Sequence, residues 1–225
     1  MPSPFDQSTY QVRLDWGAAG LDRLAPADIV VVVDVLRFSS TVTDAVASGN
    51  EVALADSLTW SRNGAALAAA AAPTATVLLG GLRNASAVAR AIQAVQEERQ
   101  ARTSVAIIAA GETDAAGGVR FAVEDQLGAG AIVAALTDLG IDHTAPDAAV
   151  AAEGFRALRR ALRHLLSASG SAREIDAGVE ATTRMEASGL EPTTTKDAAE
   201  LDALDVVPVL REGVFTRFER RAVDR

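Results

Sequence analysis

The chain has 225 residues, 49% of them hydrophobic and 23% charged, which is enough for one large domain or two small ones with a sizeable core. Cysteine is absent, which excludes disulfides, thiolate zinc sites and cysteine nucleophiles and fits a reducing cytoplasm. The net charge of -9 disfavours a nucleic-acid backbone as partner, because only the short Arg217, Arg220, Arg221 tail is locally basic.

Met1 to Tyr10 is polar and contains proline, with neither the charged start nor the apolar core of a signal peptide, so a cytoplasmic protein is expected. Tyr10 to Trp16 alternates apolar and polar residues as a half-buried strand does, and Ala18 to Leu24 reads as a short helix. Ile29 to Asp34 is the first central strand. Ser39 to Ser48 follows as a helix closed by Gly49-Asn50, and Glu51 to Ala55 as the next strand. Asn63-Gly64 opens an alanine-rich helix. Its longest apolar run, Ala65 to Ala72, is far too short to span a bilayer, so no membrane association is expected. Thr76 to Leu79 is a strand, Asn84 to Glu98 a long helix, Ser104 to Ala109 a strand, and Val123 to Leu139 a helix running into Gly140.

Pro146 to Ser167 reads as one long amphipathic helix carrying Val150, Phe155, Leu158, Leu162 and Leu165. Ser167 to Ser171 reads as a small-residue linker, followed by two short helical stretches. Val206 to Leu210, a turn at Glu212-Gly213 and Val214 to Phe218 form a closing hairpin. The regular alternation of strand and helix predicts an α/β fold: three layers, α/β/α, around a mostly parallel sheet with a closing C-terminal hairpin.

Chemistry concentrates where the run Val31-Val32-Val33 ends in Asp34, Arg37, Ser39, Ser40 and Thr41. In an open α/β sheet, ligands bind beyond the carboxyl ends of the strands, at helix N-termini that attract anions. Three such loops carry an arginine beside free N–H groups: Arg37 to Thr41, Arg62-Asn63-Gly64, and Gly80 to Ser86 with Arg83 and Asn84. Together they predict a phosphate pocket; singly, Asn63 and Asn84 are read as ordinary helix N-caps and Gly80-Gly81 as a turn. Glu124-Asp125 opens a helix, where the macrodipole alone favours carboxylates. A hard metal is the functional counterpart, because magnesium takes one or two carboxylates and completes its shell with water and phosphate; Asp34 with one of the pair would share an ion. Gly128 and Gly130, costly inside a helix, predict close backbone packing near that site. His143 and His164 have no metal-ligand spacing and are read as surface or packing residues.

The ordered set Val32 to Arg37, Asn63-Gly64, Gly81 to Ala89, Ala110-Gly111-Glu112, Glu124-Asp125 with Gly128 to Gly130, and the closing Asp205 to Pro208 resembles the 2-phosphosulfolactate phosphatase family. The similarity runs from about Tyr10 to Phe218, so residues 1–225 are read as a single domain. The resemblance implies a magnesium (Mg2+)-dependent phosphatase acting on the phosphate ester of a small sulfonated hydroxy acid, a step of coenzyme M biosynthesis, and a homodimer. Carried onto this chain, it implies catalytic roles for Asp34, Arg37, Asn63 and Asn84, and substrate contacts from Arg37, Ser39, Ser40, Gly64, Arg83 and Ser86. It implies metal binding by Asp34 with Glu124 or Asp125. The family usually carries a longer segment before the asparagine-glycine turn, with Gly-Glu-Arg and Asn-Ser-Pro motifs, whereas this chain passes almost directly from Asp56 to Asn63. Two readings follow: a phosphatase on a small acidic phosphate ester, or a noncatalytic phosphometabolite-binding protein on the same fold.

Overall fold

The computed structural model describes residues 3–114, 116–178 and 180–220, so Met1, Pro2 and Arg221 lie outside the described residues. The strands are β1 (Val12–Trp16), β2 (Ile29–Val33), β3 (Val52–Ala53), β4 (Thr76–Gly80), β5 (Val105–Ala109), β6 (Glu112–Thr113), β7 (Val119–Arg120), β8 (Pro208–Arg211) and β9 (Val214–Arg217). The helices are α1 (Gly17–Arg23), α2 (Phe38–Ala47), α3 (Leu54–Trp60), α4 (Gly64–Ala71), α5 (Ala85–Arg99), α6 (Val123–Asp138), α7 (Pro146–Leu158), α8 (Leu162–Ser167), α9 (Gly170–Asp176), α10 (Glu180–Ala187) and α11 (Thr195–Ala198).

Seven strands form one sheet in the order β1-β5-β2-β4-β8-β9-β3, with β1, β5, β2 and β4 parallel and the β8-β9 hairpin antiparallel beside them. The period of two along β2 explains why both faces are covered. Ile29, Val31 and Val33 join a core with α5, α6 and α7, whereas Val30 and Val32 join a second core with α2, α3 and α4. This is the expected three-layer α/β/α arrangement. The connection from β2 to β4 covers one face and the helix after β4 the other, so the chain reverses its course at the boundary between β2 and β5. A crevice is expected beyond the strand ends at such a switch point.

Several local expectations hold for identifiable reasons. Gly49 has a positive φ of 85°, and the N–H groups of Gly49 and Asn50 bond back to Val46 and Ala45, which closes α2. Glu212 and Gly213 both have positive φ (50° and 82°), the geometry of a two-residue hairpin turn between β8 and β9. A Cβ on Gly128 would meet Val35 Cγ2 at 2.7 Å, and one on Gly130 would meet the Ala151 carbonyl carbon at 2.8 Å. Both glycines are therefore close-approach positions, one against the tip of β2 and one against α7. Gly130→Ala should lower stability by about 1–3 kcal/mol, because the Cβ meets backbone that cannot yield locally; urea unfolding checks it.

Three expectations are corrected. The predicted strand Glu51 to Ala55 is only Val52–Ala53, an antiparallel edge strand on β9, and Leu54 already begins α3. The predicted helix Pro146 to Ser167 is broken by a 3-10 turn at Arg159–Ala161. The break lets Leu162 and Leu166 turn into the core while Val150 and Leu158 stay outside, 69% and 42% exposed. The Ser167 to Ser171 linker contains the start of α9, with Ser169 Oγ accepting the Ala172 N–H (3.1 Å), and three short helices follow it rather than two. Among the described residues no helix is long and apolar enough to cross a membrane.

Candidate active site

The crevice at the switch point holds a cavity of about 70 Å³, lined by the tip of β2 (Asp34, Leu36, Arg37, Phe38), the end of α3 (Trp60), the loop Ser61 to Asn63, and Gly111, Glu112, Glu124 and Asp125. Glu174 and Ile175 of α9 and Ala181 and Met185 of α10 close it from above. This volume suits a few waters or one phosphoryl-sized group.

Asp34 is positioned from three sides. Its N–H donates to Ser39 Oγ (3.0 Å), while its carboxylate accepts from the N–H groups of Phe38 (3.3 Å) and Gly64 (3.1 Å). Gly64 is needed for that approach, since a Cβ there would stand 2.6 Å from Asp34 Oδ2. Asp125 joins the two strands that flank the crevice, accepting from the N–H groups of Val35 (2.7 Å) and Gly111 (2.9 Å). The Ser171 hydroxyl of α9 stands between the Glu124 and Glu112 carboxylates, within hydrogen-bonding reach of both and with one proton to donate, and so brings α9 against α6 and the β6-β7 hairpin. Asn63 bridges the other side: its amide donates to the Gly111 carbonyl (2.7 Å) and accepts from Thr113 Oγ1 (2.8 Å).

Five carboxylates, Asp34, Glu112, Glu124, Asp125 and Glu174, thus face one small cavity, and among the described residues Arg37 and Arg62 supply the positive charge of its lining. Burial, with the neighbouring charges of Glu112 and Glu124, pushes the Asp34 carboxyl up to about 7 against the pull of the Phe38 and Gly64 N–H groups. Burial also raises Asp125, helped by repulsion from Asp34 and Glu124. Glu112 is raised by burial and by Glu174 and Glu124, opposed by Ser171 and Arg62. Arg37 bonds to the Thr182 hydroxyl of α10, and burial lowers its pKa against the attraction of Glu186 and Asp34. Arg62 pairs with Glu174 at 3.1 Å and lies 4.0 Å from Glu112.

The residues singled out in the sequence divide into two groups. Asp34, Arg37, Asn63, Glu124 and Asp125 line the cavity, and Gly64 abuts Asp34. Ser39, Ser40, Arg83, Asn84 and Ser86 do not line it. Ser39 Oγ donates to the Val32 carbonyl and Ser40 Oγ to that of Val35, so both hydroxyls are spent on the β2 turn. Arg83 pairs with Asp44 (2.8 Å) and donates to the Asp197 carbonyl, while Ser86 bonds to Asp202. The third loop is thus occupied by the segment leading into β8. Asn84 is 1% exposed; it accepts the Gly81 N–H (3.1 Å) and donates to the carbonyls of Leu79 (3.3 Å) and Val206 (2.9 Å). Asn84→Ala should therefore cost about 1–3 kcal/mol of stability, read by thermal unfolding, as a buried N–H loses its acceptor.

The N-cap alternative for Asn63 also fails, because its side chain makes no cap bond and Ser61 Oγ instead accepts the Ala65 N–H (3.0 Å). Sequence reasoning assigned no role to Ser171 or Trp60. A hydroxyl among small residues and a lone tryptophan in a short helix carry no motif that marks them.

Among the described residues no three histidine or carboxylate side chains converge closely enough to form a metal-ligand set of their own. The donor set still suits magnesium, which needs one or two protein carboxylates and takes the rest of its shell from water and phosphate. Asp34 and Asp125 each accept one backbone N–H on each oxygen, Asp34 at 3.3 and 3.1 Å and Asp125 at 2.7 and 2.9 Å, whereas Glu124 is engaged by Ser171 through one oxygen, so the more loosely held Asp34 with Glu124 is the better pair of the predicted three.

A family model described as 2-phosphosulpholactate phosphatase matches residues 55–213. Asn63, Glu112, Glu124 and Asp125 fall within the matched residues, and Asp34 and Arg37 precede them. No curated protein matches the chain.

Proposed function

The chain belongs to the 2-phosphosulpholactate phosphatase family, and from that premise we propose that the cavity binds and hydrolyses the phosphate ester of a small acidic metabolite with magnesium as cofactor. The observation that carries the reading is the convergence of Asp34, Glu112, Glu124, Asp125 and Glu174 on a cavity lined, among the described residues, by Arg37 and Arg62 as cations. A dianionic phosphoryl group entering that surrounding needs more positive charge than two arginines offer. Asp34 and Glu124 would hold a divalent cation that supplies it, and when bound such an ion would neutralise charge at the phosphoryl oxygens and lower the pKa of a coordinated water.

The chain's own groups perform the rest. Arg37 and Arg62 approach from different loops and orient the phosphoryl oxygens. Asp34 is held on its two N–H donors in a fixed direction, and Asn63 fixes the Arg62 loop against Gly111. In the net reaction a water oxygen forms a bond to phosphorus, the ester P–O bond breaks, and the proton that the water gives up passes to the departing alkoxide. A cytoplasmic homodimer belongs to the same reading.

One observation favours the noncatalytic alternative: a single helix, α3, fills the connection between β3 and Ser61, so the cavity has few donors on that side. Phosphate release from a panel of small acidic phosphate monoesters, with magnesium and with chelator, separates the two. Release that needs magnesium supports the phosphatase; a raised thermal midpoint without release assigns the chain to binding alone.

A further inference from the structure

Trp60 is the last residue of α3 and lines the cavity, yet only 2% of it is exposed and its indole N–H has no hydrogen-bond partner among the described residues. Native proteins rarely leave such a group unpaired, because a buried donor without an acceptor loses its bond to water and gains nothing in exchange. The ring itself is fixed, packed on Phe38 with centroids 5.7 Å apart, and Phe38 in turn packs on Phe215 of the sheet at 5.7 Å. The donor is therefore rigidly held before any ligand arrives.

From this we infer that the Trp60 N–H donates a hydrogen bond to an oxygen of the bound oxyanion, making Trp60 a specificity-determining residue of the site. The inference rests on the reading of the cavity as the phosphate-ester site. An indole nitrogen donates and never accepts, so the ligand atom opposite it must be an acceptor: a phosphoryl, carboxylate or sulfonate oxygen. The short connection between β3 and Ser61 thus ends in a residue that carries a neutral donor and shares the lining of the acidic cavity.

The chain has two tryptophans, Trp16 and Trp60, so a nitrogen-proton spectrum of the indoles contains two resonances, assigned with Trp16→Phe. Inorganic phosphate, titrated with magnesium present into the wild-type protein, should move the Trp60 resonance downfield and leave that of Trp16 in place. Trp60→Phe keeps the ring and removes the donor. Calorimetry should show it binding phosphate roughly 10- to 100-fold more weakly, the loss expected for one hydrogen bond to a charged acceptor.

A Trp60 resonance that stays fixed while phosphate binds, as it would if the N–H faced the Phe38 ring, overturns the inference. So does a wild-type protein that binds no phosphate, or a Trp60→Phe variant of unchanged affinity. Binding is read here rather than turnover, so the outcomes separate. A Trp60 shift without ester hydrolysis keeps the inference and removes the phosphatase reading, whereas hydrolysis with Trp60 unmoved does the reverse.

Discussion

Asp34→Asn is expected to lower kcat by at least about 10²- to 10³-fold, the loss that follows removal of one preorganised electrostatic group, while circular dichroism and the unfolding midpoint show a folded protein. The substitution keeps the size of the side chain and one acceptor oxygen, so one of the Phe38 and Gly64 N–H groups keeps its partner and the other loses it, at a cost of about 1–3 kcal/mol that leaves the protein folded. What it removes is the charge. On the proposed reading a cation shared with Glu124 would lose a ligand, so magnesium is expected to raise the melting temperature of the wild type and to leave that of the variant unchanged. Steady-state phosphate release with thermal shifts in parallel measures both. Unchanged turnover in the variant would move the chemistry away from the β2 tip.

Asp125→Ala should act on the fold first. The carboxylate accepts the N–H groups of Val35 and Gly111, one beyond each of the strands flanking the crevice, and all three residues are buried. Truncation leaves two buried donors without acceptors and should cost about 2–4 kcal/mol, visible as a lower urea midpoint. The loss is smaller than a simple sum, because the same change removes a carboxylate that repels Asp34 and Glu124. If Asp125 served only as a metal ligand, the metal-free protein would lose no stability.

The sheet was legible in the sequence because buried parallel strands are short β-branched runs. Ile29 to Val33 and Val105 to Ala109 are such runs, and both end where a loop residue with chemistry begins. The edge was less legible. Val52 and Ala53 pair with a hairpin more than a hundred and fifty residues later, and no local pattern announces that partner. The same physics limited the site. Asp34, Arg37, Asn63 and the Glu124-Asp125 pair stand at strand ends or helix starts, so topology alone gathers them. Arg83, Asn84 and Ser86 occupy an equivalent position after β4, yet the segment from Asp197 to Val206 returns over that loop and, with Asp44 of α2, engages the side chains of all three. Which of several similar strand ends stays open depends on where a distant segment packs. Ser171 and Trp60 reach the cavity through helices whose direction is set by tertiary packing, which is why their residue types alone gave no sign of them.

The central claim, that this cavity turns over a phosphate ester, is tested most directly by following 2-phosphosulfolactate with phosphorus NMR in the presence of the protein and magnesium. The ester resonance should decay and that of inorganic phosphate grow, with chelator stopping the change. An ester signal that persists undiminished, with its line broadened by binding, would contradict the claim and leave a phosphometabolite-binding protein.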